Sequence, residues 1–384
     1  MTRRAWAEID LDALAHNMKE IRRITDKKAR ICAVVKADAY GHGFLECART
    51  LLNNGADCLA VALAEEGIQL RKHGIDVPVL ILGVSEDVEN VVKYDLTPAV
   101  ADFEYAKSLS EYAMKCSKKV KVHIKLDTGM TRIGFVVDDA ENDGIIDEIM
   151  RISNLEGIEI EGMFSHFSTS DETDSSYTEM QFKRFMSVDN ELKKRGLNIP
   201  VRHICNSAGI MMYPKMHLDM VRPGVILYGM YPSDEVDKKR IDLKYVMTLK
   251  AKVSFLKEVD EGRGVSYGKT YITEHKTKIA TVPVGYADGY IRRLAGKADM
   301  VVHGEAVPVI GRICMDQCMI DVTNVNNINK GDEVTLFGNG KVTVDRIANW
   351  LDTINYEITC MISKRIPRIY MRNGKAVKTL DYLN

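Results

Sequence analysis

Eight short apolar runs, each separated from the next by a longer stretch, occupy residues 31–224 and leave the chain few folds to choose from. They are ICAVVK (31–36), CLAVAL (58–63), VPVLILGV (77–84), LTPAVA (96–101), KVHIKLD (121–127), IEGMFSHF (160–167), VRHICNS (201–207) and LDMVRPG (218–224). Such runs read as strands, the most apolar of them buried on both faces. Helix-like segments lie between them. LECARTLLNNG (45–55) ends on a glycine suited to a C-cap, and MQFKRFMSVDNELKKRG (180–196) has helical spacing with a basic last turn. Strands that alternate with helices pair in parallel. Eight such units fit a (β/α)8 TIM barrel of the usual ~250 residues better than an open sheet.

Past residue 240 the texture changes. MTLKAKVSFLKEV (247–259), TKIATVPVG (277–285), MVVHGEAVPVIG (300–311), CMIDVT (318–323) and DEVTLFG (332–338) are strands divided by Gly, Asp and Asn turns, with one helix near VDRIANWLD (344–352). The expectation is α/β overall: a barrel over 11–238, then a mostly antiparallel β domain over 239–384 that residues 1–10 join. The polar segment SDEVDKKRID (233–242) reads as the linker.

Composition excludes several roles. Lys+Arg is 53 and Asp+Glu is 54, so no basic field exists to hold nucleic acid or an anionic membrane. The longest clean apolar stretch, 77–84, is far short of the ~20 residues of a membrane span. MTRRAWAEID lacks the apolar core of a signal peptide. Eight cysteines without CxxC pairs argue for free thiols in a reduced, cytoplasmic setting, and nine scattered histidines show no metal-ligand spacing.

In a barrel of this kind the active site is built at the C-terminal ends of the strands. Those ends supply Lys36, then Lys125, Asp127 and Arg132, then His166, then Asn206 and Ser207, and finally Arg222 with Gly224. Phosphate sites frequently lie after strands seven and eight, where the Ser207 hydroxyl and the amides of Gly224 and Val225 would meet an anion. A phosphate there and a lysine at strand one suggest pyridoxal phosphate, its aldehyde joined to Lys36 and Tyr40 reaching toward its phosphate. Desolvation should lower the lysine's pKa. Bland readings stand beside these. Lys36 also fits a side chain snorkelling from a strand end, His166 a hydrogen-bonded core histidine, Arg132 a helix cap and Lys125 a partner for Asp127.

The motifs, taken in order, resemble the alanine racemase family, of the fold-type III pyridoxal phosphate enzymes. AVVKADAYGHG, KLDTGMTRIGF, FSHFST, NSAG, VRPG, VSYGKTY, VGYADGY and GRICMDQCMIDVT carry the likeness, which runs from AWAEIDLDALAHN to NYEITCMISKRIPR. The resemblance implies L- and D-alanine interconversion by two bases in a homodimer with shared sites, supplying D-alanine for the cell wall. Lys36 would be one base and Tyr267, from the partner subunit, the other, with His166 and Arg222 behind it. Arg222 would also meet the pyridine nitrogen. Arg132 would hold the substrate carboxylate, helped by Met315, and Lys125 sits where many relatives carry a carbamylated lysine. Tyr40, His166, Asn206, Ser207, Arg222, Gly224, Val225 and Tyr356 would surround the cofactor. Tyr286, Asp171, Arg292, Arg312 and Ile354 match an entrance corridor.

Two positions depart from the pattern: Lys364 replaces a common aromatic residue and Met361 a small polar one. Tyr356 is present where serine-preferring relatives tend to lose it, which favours alanine. The alternatives are a serine-accepting racemase, a fold-type III decarboxylase, and a non-enzymatic single-barrel cofactor carrier. Nothing local marks Tyr267, which rests on the resemblance alone.

Overall fold

The computed structural model describes residues 4–139, 142–338 and 340–383. Strand β1 (Ala5–Asp10) is followed by the eight runs read from the sequence, which become β2 (Arg30–Val34), β3 (Cys58–Val61), β4 (Val79–Ile81), β5 (Thr97–Val100), β6 (Val120–Asp127), β8 (Ile158–Phe164), β9 (Val201–His203) and β10 (Met220–Val221). A two-residue strand, β7 (Phe135–Val136), hangs on the end of β6. The barrel strands pair in parallel in the order β10-β2-β3-β4-β5-β6-β8-β9. Between β9 and β10, backbone hydrogen bonds from Asp219 to Arg202 and from Arg222 to Cys205 bridge the remaining seam.

The last two strands are shorter than the sequence suggests. After β9 the chain turns at Asn206, whose side chain accepts from the Gly209 N–H and caps a helix over Ser207–Met212. A capping Asn competes with ladder pairing, so the strand stops early. The long helix spans Ser176–Lys194 and Gly196 follows it at φ +90. The helix predicted over 45–55 covers Phe44–Leu52. Asn53 takes its C-cap, while Gly55, at φ +112, lies beyond it.

A ten-stranded sheet makes up the other half. In it β1 pairs antiparallel with Met247–Lys252 and parallel with Arg368–Arg372, the other pairings being antiparallel. Alternating burial along Met247–Lys252 fits a sheet with one face in the core. The expected helix covers Val344–Leu351, and a second, over Asn355–Met361, follows it unforeseen. Seven residues are too few for a readable helical period. That second helix carries Tyr356 and packs on the barrel mouth. A Cβ on Gly41 would stand 2.1 Å from the Thr359 carbonyl oxygen, so only glycine lets the two meet.

Candidate active site

Strand β2 ends at Val34, and Lys36 opens not a strand end but a tight turn. Ala37, Asp38, Ala39 and Tyr40 all hold φ between 52 and 54, the left-handed region. That conformation costs an L-residue roughly 1–2 kcal/mol and is normally visited one residue at a time. Four in succession persist only because the surroundings over-determine them. The Ala37 N–H donates to Glu66 at 2.6 Å, and Glu66 also accepts from the amides of Ala62 and Leu63. Asp38 accepts from the Phe44 N–H at 2.9 Å and from the Tyr382 hydroxyl. From the second sheet, buried Arg368 donates to the Gly41 carbonyl at 3.0 Å and to those of Ser363, Ile366 and Ile362. The lysine therefore sits on a strained loop clamped from both halves of the molecule.

Around it the strand ends gather positive charge. Burial, aided by the nearby Arg132 charge, lowers the pKa of Lys36. Burial and then Arg222 push Lys125 down to about 7, and the same two causes hold His166 well below its ordinary value. Arg222 is drawn down by burial to about 10, which leaves it a cation at neutral pH. Glu66 opposes the lowering at Lys36, and Asp127 is the carboxylate beside Lys125. Burial opposes its ionisation, but the amides of Gly129, Thr131 and Arg132 donate to it and keep it below the usual carboxylate range. Arg132 is exposed in the loop between β6 and β7 rather than capping a helix. Lys125 donates to its neighbour's carbonyl, Leu126, at 2.6 Å and lies over the Phe164 ring, so it is no simple partner for Asp127.

On the opposite rim, the Gly224 N–H donates to the Ser207 hydroxyl at 2.9 Å, and a Cβ on Gly224 would stand 2.6 Å from the Tyr40 hydroxyl. Val225 is buried beside them. Tyr356 meets Tyr40 edge-on at 6.2 Å between ring centroids, and burial raises the pKa of both phenols, keeping them donors. Asn206 accepts from the Ser170 hydroxyl as well as from the Gly209 N–H. Lys36, Tyr40, Lys125, Arg132, His166, Ser207, Arg222, Gly224 and Tyr356 thus converge on one barrel mouth. Asp171 and Ile354 line a cavity of about 220 Å³ beside it.

Tyr267 and Met315 do not join that group. Among the described residues no hydrogen bond, ion pair or ring contact links either to Lys36, His166 or Arg222. Tyr267 is 68 % exposed at the tip of a short hairpin, between Ser266 at φ 61 and Gly268 at φ 71. The hairpin rests on Arg312: Ser266 donates to its carbonyl at 2.6 Å, and Gly268 abuts its guanidinium. Met315 is 53 % exposed next to Tyr286, while Arg292 lies exposed on its own turn. Sequence reading missed Glu66, Asp38 and Arg368, the clamps on the turn, and His203 and His123 inside the barrel. None had a local signal, since each has a deciding partner far along the chain: Glu66 meets Ala37 across 29 residues, Arg368 meets Gly41 across 327, Asp38 meets Tyr382 across 344, and His203 meets Arg222 across 19 and His123 across 80.

A (β/α)8 barrel with a cluster of cationic side chains at its mouth, joined to a β domain, defines the class of architecture. The particular family follows from comparison. Residues 9–232 match the alanine racemase N-terminal domain and residues 246–370 the alanine racemase C-terminal domain. The alanine racemase of Clostridium tetani is 50 % identical over 387 residues, with 99 % of each chain covered. That of Clostridium perfringens is 51 % identical over 386 residues, with the same coverage. The solved alanine racemase of Clostridium difficile 630 superposes with a TM-score of 0.96 at 45 % identity, covering 100 % of both chains. The Bacillus anthracis enzyme with bound L-Ala-P gives 0.92 at 36 % identity, covering 100 % of this chain and 99 % of that one. The chain belongs to the alanine racemase family.

Proposed function

We propose that this chain is an isomerase that interconverts L- and D-alanine, with pyridoxal phosphate bound at the barrel mouth. The observation that carries it is the donor set. Lys36, Lys125, Arg132 and Arg222 crowd one pocket, where among the described residues Asp127 and, near Lys36, Glu66 are the carboxylates that face them, so cations outnumber anions. A phosphate and a substrate carboxylate supply what is missing. The rim fits the phosphate too, since Gly224 leaves the space that a Cβ would fill against Tyr40. Ser207, Asn206, Tyr40, Tyr356 and the amides of Gly224 and Val225 would hold that phosphate, and Lys36 the aldehyde end.

When bound, the cofactor supplies an electron-withdrawing ring that acidifies the α-carbon of an attached amino acid. The protein's part is proton handling. Lys36, desolvated and held by its clamped turn, takes or returns the α-proton on one face. Tyr267 of the partner subunit serves the other face, which fits its exposure in the single chain. Arg132 pairs with the substrate carboxylate, with Met315 of the partner subunit beside it. Arg222 spends Nη1 and Nη2 on protein acceptors, and its Nε would be the donor to the cofactor ring nitrogen. Lys125, near about 7, is partly uncharged at neutral pH and so open to CO₂; a carbamate would set an anion beside Arg132. Tyr286, Asp171, Arg292, Arg312 and Ile354 would line the approach.

The same reading assigns 11–238 to the barrel and 239–384, with 1–10, to the β domain, and makes the working unit a homodimer in the cytoplasm. Eight free thiols suit a reducing compartment. Among the described residues no helix is long and apolar enough to cross a membrane. The test incubates the protein separately with L-alanine, L-serine and L-lysine and follows optical rotation and CO₂. Loss of rotation fastest with alanine and no CO₂ is expected. CO₂ release, or no turnover of alanine, overturns the proposal.

A further inference from the structure

Arg222 is 2 % exposed, yet its partners are His203, His166 and the carbonyls of Ser165 and Ile204, none of them an anion. A buried guanidinium without a counter-charge is costly. The structure supplies one at a distance. Arginine only donates, so the 2.6 Å contact from Nη1 makes His203 Nδ1 an acceptor. The ring proton of His203 must then sit on Nε2, which lies 2.7 Å from His123 Nδ1. His123 accepts in turn, which fixes its own proton on Nε2, and that atom lies 3.5 Å from a Glu161 carboxylate oxygen. The sequence of donors runs one way, from Arg222 at one mouth of the barrel to a carboxylate at the other.

The barrel is shaped around this line. A Cβ on Gly162 would stand 2.5 Å from the His123 ring, so glycine alone clears its path. The pairing of β6 with β8 slips between Val122 and His123, turning the ring into place. Phe164 stacks on His203 at 4.9 Å with the planes 3° apart, and Arg222 lies over the same Phe164 ring. Burial keeps both imidazoles below their ordinary pKa, hence neutral. Glu161 is anionic, drawn down to about 2 by His123 first and, against the opposing effect of burial, by Lys121 as well. Its end of the line meets a cavity of about 250 Å³ lined by Arg30, Asp57, His123 and other residues of the N-terminal mouth, away from the active site.

We propose that Glu161, His123 and His203 are positioning residues for Arg222: the remote carboxylate orders both imidazoles in one tautomer and so holds the guanidinium by its Nη1, fixing how it is presented to the site. The proposal rests on the reading above that Arg222 faces the cofactor ring.

The test reads ring-nitrogen NMR shifts of histidine-labelled holoenzyme, the absorbance of the bound cofactor, and alanine kinetics. In the parent, His123 and His203 should both be neutral with the proton on Nε2. Glu161→Ala should disturb the His203 nitrogens, move the cofactor band, and lower kcat roughly tenfold with KM little changed. Lys121→Ala, which removes an exposed ion pair of Glu161 without touching His123, should leave all three as in the parent. Should Glu161→Ala not fold, Glu161→Gln keeps an acceptor and removes the charge, and a smaller shift of the same sign is expected. Unchanged His203 nitrogens in the Glu161 variant, or a charged or Nδ1-protonated His203 in the parent, overturn the proposal. A parent that does not racemise alanine sinks the proposed function instead, while the nitrogen shifts still decide the tautomers.

Discussion

Lys36 and Tyr267, the two ends of one proposed proton transfer, stand in opposite surroundings. Lys36 is half-buried on a turn that Glu66, Asp38 and Arg368 hold in a conformation the backbone resists. Tyr267 is 68 % exposed on a hairpin tip. On the proposed reading, a single chain completes one face of the reaction and only offers the other. The difference teaches that burial within one fold marks the half of the site that is finished, while exposure of a large polar aromatic marks the half that waits for a partner.

Substitutions at these two positions test the contrast most strongly. Lys36→Ala should remove both a base and the cofactor's attachment, lowering racemisation by roughly a thousandfold or more. A variant that keeps the lysine-linked absorbance would break the assignment. Tyr267→Phe should cost roughly 10²- to 10⁴-fold while leaving that absorbance as it is. Mixing the two inactive proteins sharpens the comparison. If sites are shared, half of the randomised dimers are mixed and one of their two sites is intact, so about a quarter of the parent activity should return. No recovery after subunit exchange would mean that each chain builds its site alone.

Smaller effects probe the clamp. Arg368→Met strands four buried carbonyls and should cost about 3 kcal/mol of stability, read as a lower urea midpoint at unchanged slope. Tyr267→Phe should leave the midpoint where it is, since its ring packs on little. Smallest is the pH effect at Lys125. Its folded pKa, about 7, lies below the ordinary 10.5, so between those values the unfolded chain binds more protons than the folded one. Stability from this group is greatest above 10.5 and declines as pH falls toward 7. Lys125→Met should flatten that slope in urea titrations at several pH values; equal slopes would show that Lys125 is not desolvated.

The strand count, the barrel and the change of texture near residue 240 were legible because burial imposes a pattern on consecutive residues. Cations at strand ends were legible for the same reason, since Lys36, Lys125 and Arg222 each interrupt or end an apolar run. The helix at Asn355–Met361 was not, because it is too short to show a period. Nor was the left-handed turn, since alanine and tyrosine disfavour it and a lone aspartate does not announce four such residues in succession. Its cause lies in Glu66 and in Arg368, more than three hundred residues further on.

By itself, then, the sequence determined what repeats: eight strands in parallel, a second sheet, and an amine where the first barrel strand gives out. The tertiary structure alone decided what touches: which backbone is forced left-handed, which phenol is left bare, and which imidazoles line up from Arg222 to Glu161. The physical reason is range. Hydrophobic burial writes a periodic signal into neighbouring residues, whereas a hydrogen bond joins two atoms and leaves no trace in the chain between them.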